Sequence, residues 1–474
     1  MVPETPKNLS FNDRIGIAFC SFQHRFFTSR LALFLFAIVF LVAAAARIVA
    51  APYSATQDIA QFWSFAQLFK EHGLDFYRYY SGYDPINPWQ GWGYVYPPVW
   101  ILILGIGLAA VPGAMADKFF VDTAWRIAEK APIIAADLAI GVLLFIGIPG
   151  SRWKKLFFAA LWMLNPVAWY QSGVFGQFDA IASAFLIGSL ILLERGHDRW
   201  AFAVAALAVM TKQHTLIPIA FMMAVTLRTM PWKRFAVNFA IFAGVIAAFS
   251  LPFIVTGNIV EYTKAVVLPG QAPAYQEPML YTFSGTGAAL TYLHDQYGWD
   301  TLSWFGYTIP VLIIAILGGM VLAYFKRLSP LRAMLVGILL FIALFYRINY
   351  QYLVVFIPLA ILALARTTYV SERILTLWLA IFPAVWLWYF DVSFWFTYLT
   401  PDHPEVVPFF ERIGLTHLTA SDTVYMRIAL TIAVLCLAYT FFAFTRWKQP
   451  HAGSIPRWSN INQPFNEFGG RRMA

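Results

Sequence analysis

Apolar runs of membrane-crossing length recur along this chain, each closed by a short loop. That recurrence constrains the fold more than any motif does. Residues 30–50, 131–149, 235–255, 302–325 and 424–445 are examples, and each approaches the ~20 residues a helix needs to cross hydrocarbon. The runs are continuous instead of alternating, which argues against a transmembrane β-barrel. Only 12% of the 474 residues are charged and 60% are hydrophobic, whereas a soluble domain carries roughly twice that charge. The expected fold is all-α, a polytopic transmembrane helical bundle with about twelve crossings.

The net charge of +9 does not point to nucleic acid. The basic residues cluster in short inter-helix loops, as orientation signals do, and are not interleaved with exposed aromatics in a polar domain. Cys20 and Cys436 lie near opposite ends of the chain and suggest neither a disulfide framework nor a metal site. The stretch "VAAAARIVAAP" resembles a signal-peptide cleavage region, but the run before it is long enough to span and its leading segment is long.

Arg14, Arg25 and Arg30 place the N-terminus inside, so the first crossing exits near Ala51. Residues 59–69 read as a helix lying in the interface. Phe62, Phe65, Ala66 and Phe69 form a stripe at i, i+3, i+4 and i+7 that is expected to face lipid. "SRWKK" at 151–155 votes for inside, so one of the two runs 94–112 and 131–149 does not span. The better candidate is 94–112, with its Pro-Pro start. Residues 200–228 have basic loops at both ends, and Thr211, Lys212, Gln213 and His214 sit at the middle. They are expected to form two short helices meeting at an outward-facing break.

This topology puts Asp58, Tyr96, Gln177, Asp179, Lys212, Gln213, His214, Arg347, Asn349 and Gln351 at the outer ends of helices or breaks. Charged groups near hydrocarbon cost a few kcal/mol each, so a shared outer vestibule is the economical arrangement. Structural alternatives stand beside each role. Asp58 would cap the interfacial helix, Asp179 would cap a helix over 180–194, and Pro97-Pro98 would only start a helix. Lys212 would snorkel to headgroups, and Arg347 would bind lipid phosphate. His72, Asp75 and Asp84 read as solvated loop residues. No spacing of His, Cys and carboxylates resembles a metal cage.

Four patterns now carry a resemblance. An acidic residue, Asp58, follows the first crossing. An aromatic-Pro-Pro turn opens the next helix in "YVYPPVW". "LNPVAWYQSGVFGQFDAIASAFLIGSLILLE" and "ALAVMTKQHTLIPIA" follow, with "INYQYLVVFIPLAILALA" as a weaker match. Together they resemble the GT-C class of integral-membrane glycosyltransferases. They look most like the second mannosyltransferase of GPI-anchor assembly and its bacterial relatives, and more loosely like the dolichol-linked glucosyltransferases of N-glycan assembly. Many relatives have two acidic residues together in the first loop, whereas Ile59 follows Asp58 here, which puts any metal requirement tied to such a pair in doubt.

The topology expects a cytoplasmic segment at 1–29, outer loops at 52–93 and 256–300, further helices at 367–445 with an outer loop at 392–423, and a cytoplasmic tail at 446–474. The resemblance spans roughly residues 30–366, which would be the catalytic module, and does not extend to 374–474. It implies a multi-pass protein of the plasma or inner membrane with an exoplasmic site and no cofactor. Its donor would be a polyprenyl-phosphate sugar and its acceptor a glycan, lipid or protein hydroxyl, in contact with membrane lipids. Transfer would invert, with Asp58 as general base. Lys212, His214 and Arg347 could meet the charge of the leaving phosphate. Aromatics between 76 and 100 would stack on sugar or form an interfacial belt. A transporter or lipid flippase is the competing reading, as is a non-catalytic scaffold.

Overall fold

The computed structural model describes residues 11–79, 93–117, 120–257, 259–267, 286–346, 348–387 and 422–445. Among them there is no strand, only one isolated bridge between Ala116 and Val121. The helices in chain order are α1 (Phe11–Ala50), α2 (Gln57–His72), α3 (Pro98–Ala110), α4 (Thr123–Gly147), α5 (Arg152–Met163), α6 (Pro166–Trp169), α7 (Asp179–Glu194), α8 (Asp198–Thr211) and α9 (Leu216–Thr229). They continue with α10 (Trp232–Thr256), α11 (Ile259–Val266), α12 (Thr286–Tyr297), α13 (Phe305–Lys326), α14 (Pro330–Leu344), α15 (Leu353–Arg366), α16 (Val370–Ile381), α17 (Pro383–Leu387) and α18 (Asp422–Thr445). Five of these, α1, α4, α10, α13 and α18, are long and apolar enough to cross a membrane. The protein is an integral membrane protein.

Starts and stops follow the side chains. Ser151, Asn165 and Ser329 cap α5, α6 and α14 by accepting from backbone N–H groups. Proline opens α3, α6 and α14 at a position where no N–H is needed. Burial against lipid gives little drive for helix association, so close packing must supply it. The α7–α8 contact is built that way. Ala201, Ala205, Ala206 and Ala208 on α8 and Ala180, Ala182 and Ser183 on α7 are all buried, and these small side chains let the backbones approach.

The two ends of the bundle differ. At one end arginines close helix C-termini, where the free carbonyls carry negative partial charge. Arg195 donates to Ile146 O at 3.0 Å and Arg228 to Tyr324 O at 2.9 Å. Arg366, the last residue of α15, pairs in two places with Glu194 at the end of α7 and donates to Gly147 O at the end of α4. Arg332 grips Glu372 with two bonds of 2.7 Å. The opposite end, the rim, gathers the starts of α2, α4, α7, α9 and α15 and the ends of α8, α10 and α14.

Several expectations change. The Phe62, Phe65 and Ala66 stripe of α2 faces protein, not lipid, with each residue no more than 1% exposed. Phe62 meets Trp100 and Phe178 edge-on, and Phe65 meets Tyr94. An apolar stripe identifies a buried face but does not say what buries it. Asp58 is not the cap of α2: Thr56 holds that place and Asp58 lies in the first turn. Residues 123–130 are helix instead of loop, so α4 begins eight residues before the expected start at 131. The run 94–112 folds as α3, a 13-residue helix with about 20 Å of rise, close in length to α14 and α15 with 15 and 14 residues. Gly107 sits against Trp125 and Ala128 of α4, and Trp63 of α2 donates to Ala114 O. α3 therefore lies beside α2 and the first turns of α4 and delivers the chain back to the rim. Asp84, Arg347 and the loop 392–420 lie outside the described residues.

Candidate active site at the rim

The site begins at the break between α8 and α9. Lys212 leaves the helix in an extended conformation, φ −151° and ψ 118°, and a short turn over Gln213–Thr215 follows. Thr215 Oγ1 closes that turn on Lys212 O at 2.9 Å. Lys212 does not snorkel. It is 2% exposed, and its ammonium donates at 2.5 Å to Oδ2 of Asp179, which is fully buried. Asp179 opens α7, where the positive end of the helix favours a carboxylate. It does not cap a helix over 180–194; its partner is the lysine. Phe178, Tyr352 and Tyr96 surround the ammonium, with ring centroids at 4.5, 5.3 and 5.5 Å.

The other polar residues join this pair. His214 stacks on Phe341, 5.7 Å between ring centroids, and meets Tyr352 edge-on. Its Nε2 stands 3.9 Å from Asp179 Oδ1, too far for a hydrogen bond. Gln213 Nε2 donates to Val95 O at 2.7 Å and so ties the break to the Tyr-Pro-Pro corner. Gln351 is buried in the turn that presents Tyr352. Gln177 Nε2 donates to Asp58 Oδ2. The segment carrying Gln177 leaves α6 through a π-helical turn, Tyr170–Phe175, which ends at Gly176 with φ +75°. Only glycine suits that position, because a Cβ there would also meet Glu129 Oε2 at 2.9 Å and Ile59 at 3.0 Å.

Asp58 lies in the outer layer and keeps part of its surface accessible. Burial pushes its carboxyl from 3.8 up to about 6, against the opposing pull of the Gln177 hydrogen bond and the Lys212 ammonium. A carboxylate poised near 6 is ionised at neutral pH and still basic enough to take a proton. Among the described residues, no three His, Cys, Asp or Glu side chains cluster so as to hold a metal ion.

Sequence reasoning missed a charged face on α4. Arg126, Glu129 and Lys130 are no more than 2% exposed. Lys130 Nζ donates to Ala51 O, Ser54 O and Ser54 Oγ at 3.0, 2.6 and 2.7 Å, and Arg126 donates to Pro52 O at 2.8 Å. These bonds fasten the end of α1 to α4 and so fix where α2 begins. Deeper on α4, Asp137 pairs with Arg47 at 2.5 Å and accepts from Ser172. The signal was present: positions 126, 129, 130 and 137 share one face at helical spacing.

The aromatics of 76–100 divide. Tyr77 and Tyr94 are fully buried among Phe76, Phe253 and Tyr262, so neither offers a face to sugar. Burial raises both phenols well above their usual value. Tyr79 is exposed and stacks on His72, and Asp75 pairs with Arg78 at 3.1 Å. Tyr80, Tyr83, Trp89 and Trp92 lie outside the described residues.

No family model matches the sequence, and no curated protein matches it. Among solved structures, the chain is similar to ArnT from Cupriavidus metallidurans bound to undecaprenyl phosphate. The TM-score is 0.42 and the identity 15%, over 86% of this chain and 77% of that one.

Proposed function

We propose that the protein is an integral-membrane glycosyltransferase that moves a hexose, mannose by preference, from a polyprenyl phosphate to an acceptor hydroxyl. One observation carries the reading. A partly accessible carboxylate, Asp58, is oriented by Gln177 within the field of the buried Asp179–Lys212 pair. The rim that holds them faces the exoplasmic side, because the arginine-closed end takes the cytoplasmic side by the positive-inside rule.

In the reaction the acceptor oxygen attacks the anomeric carbon from the face opposite the phosphate, so the configuration inverts. The hydroxyl proton passes to Asp58. The bond between the anomeric carbon and the phosphate oxygen breaks, and the electron pair leaves with the polyprenyl phosphate. An ammonium has three N–H donors, and Lys212 gives one to Asp179, so two are directed elsewhere in the site. They stabilise negative charge as it develops. Tyr96 and Tyr352 border the same space. The buried residues of α14 and α15 are apolar apart from the lines of backbone, which fits a site at one rim better than a polar path through the bundle.

The experiment is incubation of the purified protein with a panel of polyprenyl-phosphate hexoses, assaying release of the lipid phosphate and the fate of the sugar. Consumption of the mannosyl donor with formation of a new glycosidic bond is expected. Movement of the intact lipid-linked sugar across proteoliposomes, with no bond broken, would replace the transferase by a flippase.

A further inference from the structure

The bundle holds a second polar feature at the end opposite the rim. α8 and α10 run parallel, with Phe202 packed edge-on against Phe235 near their starts. Between those starts lies a cavity of 580 Å³, lined by His197, Asp198, Arg199, Trp200, Lys233 and Arg234 among others. Its one carboxylate, Asp198, is already paired with Arg234. That leaves the guanidinium of Arg199 and the ammonium of Lys233, both exposed, as net positive charge facing the cavity. Neither helix has a side-chain cap on its first turn, so backbone N–H groups and the positive ends of two helix dipoles add to the same field. Trp200 lines the cavity and is 69% exposed, as aromatics are at the level of lipid headgroups. Val237, 50% exposed, continues the wall toward hydrocarbon.

We propose that this cavity binds the phosphate of an anionic phospholipid from the leaflet at the arginine-closed end. The cations and helix starts supply the anion site, and Trp200 with Val237 places it where a headgroup sits with its chains running along α10. A soluble phosphate compound would meet the same cations but would gain nothing from the apolar wall.

The test uses the full-length protein in nanodiscs of phosphatidylcholine with and without phosphatidylglycerol, with retained lipids counted by native mass spectrometry after gentle release. Phosphatidylglycerol should be retained in preference to phosphatidylcholine. Replacing both exposed cations, R199Q with K233Q, should weaken that retention roughly thirtyfold, the change expected from two headgroup-level cations. Both side chains are solvent-facing, and unchanged thermal unfolding of the variant in phosphatidylcholine alone checks that the fold is kept. Equal retention by wild type and variant would overturn the proposal. So would displacement of the bound lipid by millimolar inorganic phosphate, which would assign the cavity to a soluble anion.

Discussion

Asp58→Asn should make the protein more stable while removing its activity. The folded protein holds the Asp58 carboxyl near 6 instead of 3.8, so it binds this proton more tightly than the unfolded chain does. Low pH therefore favours folding through this group. Its contribution is fully present below 3.8, is lost as pH rises to about 6, and is absent above that. Two pK units correspond to about 3 kcal/mol, which partial exposure of the side chain reduces to about 1–3 kcal/mol. Asparagine keeps the shape and can still accept from Gln177, but it carries no charge to desolvate. At pH 7.5 the variant should unfold at a higher temperature in detergent than the wild type, and the advantage should vanish by about pH 4, where Asp58 is itself protonated. Transfer should fall by roughly 10²–10⁴-fold, the usual share of a general base. In the wild type, kcat/KM should drop about tenfold per pH unit below about 6. A variant that is less stable at pH 7.5, or whose stability gain is the same at both pH values, would refute the account of Asp58 as a partly desolvated, costly charge. Retained transfer would refute its role as the base.

Two further outcomes are expected. Lys212→Met should cost about 3–5 kcal/mol of stability, because it leaves the Asp179 carboxylate buried without its counter-charge; adding Asp179→Leu should recover most of that in thermal unfolding while donor use stays lost. In a background without Cys20 and Cys436, Tyr53→Cys, exposed at the rim, should react with an impermeant maleimide added outside intact cells or right-side-out vesicles, and Trp153→Cys, exposed at the other end, only after permeabilisation; the reverse pattern would invert the proposed orientation.

The break over 211–215 was legible in the sequence because the 29-residue run 200–228 with basic loops at both ends cannot form one crossing, and Lys212 and His214 mark the fold-back. The start of α3 was legible in Pro97 and Pro98, since proline suits the first turn of a helix. The face of α2 was not, because lipid and protein both accept Phe62 and Phe65. The start of α4 was hidden because Arg126, Glu129 and Lys130 look like a loop until their shared spacing with Asp137 is noticed. The pairing of Asp179 with Lys212 joins positions 33 apart in sequence. Each residue could be placed at the rim by topology, but only the packing of α7 on α8 decides that they meet.

Arg366 joins the ends of α4, α7 and α15 with charge-assisted bonds at a single point. Losing that one guanidinium would therefore free three helix ends at once. Arg366→Gln should accordingly speed hydrogen exchange at the last turns of α4, α7 and α15 together, a shared response that three separately anchored ends would not give.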